Sequence, residues 1–238
     1  CSSDLKEKLL FKLGWVAYTA KAYDQAAAAF AAQLQAFPEG RMAGDGHYMA
    51  GECLYLQDKF AEAVPHFDRV VKLSSERYLP RALYRLGACT ARLGQWAASE
   101  QHYQALVSQH PAFEQIHEAR YGLALAMQKQ EKLAQARDLY EQITRETETE
   151  TAAKARFMIG ECCFREKKFA EAVEHYLTAA LGYPYEEWQA LGYFEAARAL
   201  IELGDKERAI DVLGTVIERY PQHPKAADAQ TLLKSLQK

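Results

Sequence analysis

The sequence predicts an all-α fold of about six helix hairpins closed by a C-terminal capping helix. Three observations predict it: a small residue recurs every 36 or 37 residues, a bulky residue follows each at a fixed distance, and apolar residues recur at three- and four-residue steps. Such regularity indicates a repeated helical unit. The six small residues, called anchors below, are Gly14, Gly51, Gly87, Ala124, Gly160 and Ala197.

The spacing inside each unit has a physical reason. Another small residue lies twelve residues after each anchor, and a bulky residue lies sixteen after it. Two antiparallel helices approach closely only where a small side chain faces a large one, so anchor and bulky residue should touch. Proline stands twenty-four residues after four anchors and should end those units. The bulky residues are Phe30, Phe67, Tyr103, Tyr140, Tyr176 and Leu213.

These positions predict the elements in order. First helices are expected at 5–20, 42–57, 78–93, 114–130, 151–166 and 186–203, and second helices at 23–37, 60–74, 96–109, 133–148, 169–182 and 206–220. A cap at 224–237 alternates apolar and polar residues, so one face should pack and the other meet water. We expect one domain over 1–238, with repeats at 5–38, 42–75, 78–111, 114–148, 151–184 and 186–221. Pro65 predicts a late start or a kink in its helix.

Composition and motifs exclude several function classes. The net charge of −3 and the pI near 6.2 give no strong field, so nucleic acid is not an expected partner. No apolar run approaches the ~20 residues of a transmembrane helix. A Gly-rich phosphate loop, a Cys-x-x-Cys pair and a nucleophile elbow are all missing from the sequence. We therefore predict no cofactor, no metal, no catalytic residue and no enzymatic activity.

Cysteines stand two residues after three anchors, and histidines stand fifteen residues after three anchors. Equivalent positions of neighbouring repeats should lie ~10 Å apart, too far for a disulfide or for shared metal coordination. Buried structural thiols and partly exposed histidines are therefore expected. These residues are Cys53, Cys89 and Cys162 with the adjacent Cys163, and His66, His102 and His175.

The order of small residue, large residue and proline resembles the tetratricopeptide repeat over nearly the whole chain. Lys-Phe-Ala-Glu-Ala at 59–63 and again at 168–172 resembles the opening of that family's second helix. The long period and the segment 219–226 are similar to bacterial members, including periplasmic proteins of envelope assembly. The resemblance implies a right-handed superhelical solenoid whose first helices line a concave groove for peptide ligands.

An aromatic residue stands three positions before every anchor, and the positions one and four after the anchor fall on roughly the same helical stripe. These rings could form a groove floor, or they could simply pack helix against helix. Cations and acids nearby give a mixed-charge surface suited to an extended peptide or a helix. The candidate groove residues are Phe11, Trp15, Tyr18, Tyr48, Glu52, Tyr55, Tyr84, Arg81, Arg92, Tyr121, Gln128, Lys154, Phe157, Glu161, Phe164, Phe194 and Arg198.

The resemblance implies a protein-binding scaffold, expected within a bacterial multiprotein assembly. The carboxylate clamp of the family's co-chaperones needs Asn, and this sequence contains none. Two alternatives stay open: a structural spacer that self-associates within a longer chain, or a non-catalytic domain of an enzyme whose active site lies elsewhere. Cys1 is either the lipidated N-terminus of a bacterial lipoprotein or the start of an excised piece, which leaves cytoplasm and envelope both open.

Overall fold

The computed structural model describes residues 2–74 and 76–237. Within those ranges the chain forms thirteen α-helices and no strands. In order they are α1 Ser2–Thr19, α2 Tyr23–Ala36, α3 Ala43–Tyr55, α4 Phe60–Lys72, α5 Leu79–Arg92, α6 Trp96–Gln109, α7 Ile116–Lys129, α8 Leu133–Glu146, α9 Glu150–Arg165, α10 Phe169–Gly182, α11 Glu186–Glu202, α12 Lys206–Arg219 and α13 Lys225–Leu236.

The all-α class and the order of the hairpins are confirmed. The helix bounds agree with the expected ones to within two residues, except that α1 begins at Ser2 instead of residue 5. Cys1 lies outside the described residues, so the structure does not test the hypothesis that it is lipidated. In the ranges that the structure describes, no helix is both long and apolar enough to cross a bilayer.

The chain divides into two compact units, one ending at Ala126 and the other beginning at Met127. In the first unit the helices pack in series from α1 through to α6, and α1 also touches α3. In the second unit the same serial packing runs from α8 to α13, and α11 also touches α9 and α13. First helices therefore have first helices as neighbours, which places their outward side chains side by side.

The predicted contact between anchor and bulky residue is present. A Cβ atom on any of the four glycine anchors would lie 2.6–2.8 Å from the ring sixteen residues later, so a side chain there must displace the ring. The glycine thus provides the space that the ring of the second helix fills. The four pairs are Gly14 with Phe30, Gly51 with Phe67, Gly87 with Tyr103, and Gly160 with Tyr176.

Every hairpin turns through a residue with positive φ, seven positions after its anchor. Two of these residues are glycines, and four carry side chains in a conformation that costs them about 1 kcal/mol. The next N–H donates to a carbonyl five residues earlier, as in Lys59 N–H to Leu54 (2.9 Å), which is the Schellman arrangement. The six turn residues are Lys21, Asp58, Gly94, Glu131, Lys167 and Gly204.

Pro65 lies inside α4 without delaying its start, since the helix already begins at Phe60. Of the two alternatives expected at Pro65, the late start was therefore wrong, and the kink stays a prediction. The exposed position of Pro65 keeps its ring on the solvent side of the helix, so its missing N–H costs one helical hydrogen bond and no core contact.

The cap α13 buries Ala226 and Ala229 and half-buries three leucines, while its polar residues mostly face water, as expected. Cys53, Cys89, Cys162 and Cys163 are free thiols with no exposed surface, which confirms the prediction that they are buried. The three histidines of the predicted column are half-buried.

Candidate functional site

The aromatic column packs its rings against the bulky residues of the second helices. Phe11, Tyr48, Tyr84 and Phe157 each contact the ring of the bulky residue in their own hairpin, with centroids 5.2–5.9 Å apart. Residues at the start of the next repeat add a second contact: Tyr48 stacks on Tyr78 at 4.4 Å, and Phe157 meets Trp188 at 5.6 Å. Tyr48, Phe157 and Phe194 are buried, while Phe11, Tyr84 and Tyr121 keep part of their surface open.

In the first unit, α3 and α5 face each other through a ladder of ion pairs. Residues of and around α5 supply the arginines, and residues of and around α3 supply the carboxylates. The spacing of four residues between Arg81 and Arg85 places both on one face of α5, a signal that sequence reasoning did not use, and Arg77 lies in the turn before the helix. The three pairs are Arg77 with Asp45 at 3.3 Å, Arg85 with Glu52 at 2.6 Å, and Arg92 with Asp58 at 3.6 Å.

The central pair of this ladder is the most enclosed. Arg85 donates to both carboxylate oxygens of Glu52, at 2.6 and 2.9 Å, and its guanidinium lies 4.3 Å from the ring centroid of Tyr55. Burial by itself would lower the pKa of Arg85, but the hydrogen bonds that Arg85 donates to Glu52, together with the negative charge of Glu52, raise that pKa above its ordinary value. Glu52 is only 6% exposed, so its carboxylate is held by the fold and not offered to a partner.

Arg81 occupies the rung of the ladder that has no acid opposite it. Its neighbour on α3 is Tyr48, and Arg81 is exposed, with no ion pair in the described part of the chain. Tyr84 and Phe113, whose ring centroids are 5.7 Å apart, form an aromatic wall of the same cleft. The residues that line this cleft are Tyr48, Arg81, Tyr84, Arg85, Phe113, Glu114 and Gln115.

On α1, Trp15 is 46% exposed and stacks on Tyr18 with centroids 5.9 Å apart. Burial, followed by the charge of Glu52, raises the pKa of Tyr18. Phe11 and Trp15 line a shallow depression together with Tyr78, beside the Arg77–Asp45 pair. Lys8 and Lys12 line the same depression, so this end of the surface combines aromatic rings with lysines.

In the second unit the predicted residues divide between packing and surface. Tyr176 donates to Glu161 at 2.5 Å, and the exposed Arg198 pairs with Glu195 at 2.6 Å and lies over Phe164 at 5.5 Å. Burial, more than any nearby charge, raises the pKa of Glu195.

Two further predicted residues of the second unit differ in exposure. Lys154 pairs with Glu150 at 3.1 Å and approaches Trp188. Gln128 is 2% exposed and accepts a hydrogen bond from Tyr140, which keeps its side chain inside the fold.

Nucleophilic or metal chemistry has little support in this arrangement. Burial raises the pKa of Cys53, Cys89 and Cys162 to about 12 each, so these thiols stay protonated. Sequence reasoning missed one histidine contact: His47 Nδ1 lies 3.2 Å from His66 Nδ1, and burial together with His66 lowers the pKa of His47 to about 4. Among the described residues, no cluster of three metal-ligating side chains occurs.

Comparison with known proteins identifies the repeat. Two family models, both described as tetratricopeptide repeat, match this chain: one at 11–78, 48–115 and 121–187, the other at 192–223. No curated protein matches the sequence.

Several solved structures have a similar fold. PilF of Pseudomonas aeruginosa aligns with a TM-score of 0.65 at 16% identity, covering 97% of this chain and 99% of PilF. The C-terminal part of a repeat protein of Cytophaga hutchinsonii aligns with a TM-score of 0.72 at 16% identity, covering 92% of this chain and 83% of that one. YrrB, described as having an unusual peptide-binding site, aligns with a TM-score of 0.62 at 18% identity over 83% of this chain and 96% of its own.

Proposed function

Because this chain belongs to the tetratricopeptide repeat family, we propose that it is a scaffold whose first helices hold an extended segment or a helix of a partner protein. The setting that fits this role is a bacterial multiprotein assembly. Proteins of the repeat family are generally non-catalytic, and the protonated, buried thiols of this chain agree with a binding role.

The unmatched Arg81 is the observation that carries this proposal. Its neighbours in the ladder, Arg77 and Arg85, have their charges neutralised by acids of α3, so they stabilise the fold. Arg81 has no such partner in the described residues and faces open cleft, which leaves its five N–H donors free for a carboxylate from outside. A side-chain carboxylate of the bound segment completes the ladder.

The rest of the cleft fits a peptide better than a small anion. Tyr84 and Phe113 offer aromatic surface to an apolar side chain next to the acidic one. Glu114, at the cleft edge, favours a basic or amide group at a neighbouring position of the ligand. A segment that alternates acidic, apolar and neutral or basic side chains matches this order, and the peptide-binding site described for YrrB supports the general mode.

Charge reversal at the unmatched rung tests the proposal. Proteins captured from a lysate of the source organism by the native chain are compared with those captured by an Arg81→Glu variant, using quantitative mass spectrometry. The captured amount of a partner that depends on Arg81 should fall at least about tenfold. The substitution replaces attraction between Arg81 and a carboxylate of the bound segment by repulsion between two carboxylates. The matched control is Arg145→Glu, since Arg145 is an exposed arginine in the last turn of α8.

The two variants must first show the same helical circular dichroism as the native chain. Capture of the same partners in the same amounts by Arg81→Glu contradicts the proposed site. Loss of capture by the Arg145→Glu control as well indicates a non-specific charge effect and equally contradicts it.

A further inference from the structure

One face of α1 carries a stripe of uncovered apolar side chains. Leu5, Leu9, Leu13 and Val16 are 59%, 55%, 63% and 65% exposed, and they make up four of the nine large apolar side chains exposed in the described residues. At about 100° per residue they fall within roughly 80° of the helix circumference. Single exposed leucines are ordinary, whereas a contiguous row marks an interaction surface. These four residues are called the α1 stripe.

The register of the repeat shows what kind of element this face accepts. Leu9 stands five residues before its anchor, and the residues at that position in all five later first helices are buried. In α3 and α11 the preceding second helix covers this position, because a Cβ on Gly46 would meet Gln33 and one on Gly192 would meet Tyr176. The α1 stripe is therefore a helix-packing face, equivalent to the one that a second helix occupies elsewhere in the chain.

The size of Leu9 shows that a helix bound to the α1 stripe cannot approach α1 as closely as helices approach each other inside the repeat. The equivalent residues are Gly46, Ala82, Ala119, Ala155 and Gly192, all with small side chains or none. At Gly192 even a Cβ would lie 2.6 Å from the carbonyl oxygen of Tyr176. A leucine requires a wider separation of the helix axes, as in interfaces where leucine meets leucine.

The charges beside the stripe select among occupants. Lys6 and Lys12 are exposed at its two edges, and Lys8 is exposed beyond Lys12. Lys8 and Lys12 also line the depression beside Phe11 and Trp15, and Asp4 is the exposed acid of the same helix. The carboxylate of Glu7 does not offset them, because it is buried and accepts hydrogen bonds from the Gln33 side chain and from a backbone N–H of α3's N-cap. Two copies meeting through this stripe would bring their lysines together, whereas acidic edges on the occupant would neutralise them.

We propose that the α1 stripe binds an amphipathic helix of a partner protein, with a leucine-type apolar face edged by glutamate or aspartate. The helix packs Leu9 and Leu13 against its own apolar residues, and its acids pair with the flanking lysines. The surface is separate from the cleft at Arg81, so the chain has two docking surfaces of different chemistry. The stripe also lies on a different side of α1 from Phe11 and Trp15.

Two synthetic peptides test this assignment. Both are helical and carry leucine along one face; one has glutamate at the flanking positions and the other has lysine. Fluorescence anisotropy with the full chain should show the glutamate peptide binding about tenfold more tightly than the lysine peptide, because three lysines contribute one weak pair each. Raising the salt concentration should narrow this difference.

Variants of the chain locate the binding. The double substitution Leu9→Gln and Leu13→Gln should weaken binding of the glutamate peptide about tenfold or more, since it removes two apolar contacts. Leu181→Gln is the matched control, because Leu181 is an equally exposed leucine, at 69%, and belongs to α10 of the other unit. Arg81→Glu should leave the peptide affinity unchanged, which separates this proposal from the proposed function.

The opposing outcomes are distinct. Failure of the chain to bind either peptide, equal affinity for both, or full affinity in the double variant overturns the proposal. Sedimentation that shows self-association abolished by the double variant assigns the stripe to a second copy and also overturns it. Both leucines are more than half exposed, so the double variant should keep its fold; the single Leu13→Gln variant gives the same comparison if it does not.

Discussion

Alanine in place of Gly51 measures how closely the two helices of a hairpin approach each other. The new Cβ would lie 2.8 Å from the Phe67 ring, closer than carbon atoms tolerate, so the ring and α4 must move. Overpacking of this kind costs about 1–3 kcal/mol, while alanine gains about 1 kcal/mol over glycine in helix propensity. The difference leaves a net loss of up to about 2 kcal/mol in the free energy of unfolding.

The chain contains its own control for this substitution. Gly214 lies inside α12, and a Cβ there would meet no atom within 4 Å. Gly214→Ala should therefore show the propensity gain alone and raise the free energy of unfolding by about 0.5–1 kcal/mol. Urea unfolding followed by far-ultraviolet circular dichroism measures both variants. Equal stabilisation by the two substitutions would refute the small-to-large explanation of the repeat, as would failure of a second change, Phe67→Leu, to relieve the Gly51→Ala loss.

Three further predictions concern the turn, the histidine pair and the thiols. Glu131→Gly should stabilise the chain by about 0.5–1 kcal/mol because it relieves a positive φ, whereas Gly94→Ala should destabilise it by about 1 kcal/mol; urea unfolding compares them. The pKa of His47 is lowered from about 6.5 to about 4 by burial and by His66, so its contribution to stability is complete above pH ~6.5 and is lost as the pH falls toward 4. The free energy of unfolding should vary less with pH across this range in a His47→Gln variant than in the native chain. An unchanged pH dependence would contradict the assignment. Cys89, fully buried with a pKa raised to about 12, should resist iodoacetamide until the chain is unfolded; mass spectrometry of native and urea-treated samples decides this.

The helices could be predicted because one constraint recurs at every hairpin. A small residue and a bulky one must meet for two helices to pack, and their constant separation fixes the turn between them. The start of α1 was missed because Ser2 and Ser3 carry no apolar signal. The positive-φ turn was missed because Lys21, Asp58 and Glu131 occupy it as well as glycine, so no residue type marks the position.

The candidate surface could be predicted only in part. The aromatic column was visible in the sequence, but the burial of each ring depends on residues of the following repeat, as where Tyr78 stacks on Tyr48. Likewise, the role of an arginine depends on which acid the neighbouring helix places opposite it. Arg85 lies opposite Glu52 and forms an ion pair within the fold. Arg81 lies opposite Tyr48 and has no ion pair in the described chain. Such pairings follow from the packing of helices and not from the periodicity of one helix.

The shared backbone of the hairpin turns makes each hairpin an exchangeable unit. Lys21 and Asp58 have φ values of 59° and 57°, so the chain leaves the first helix of both repeats in the same direction. A deletion of residues 22–58 would join Lys21 to Lys59 and place Phe67 where Phe30 now fills the space beside Gly14. A repeat array with this property can shorten or lengthen by whole hairpins while every junction keeps the same geometry, so its reach can change in evolution without the design of a new turn.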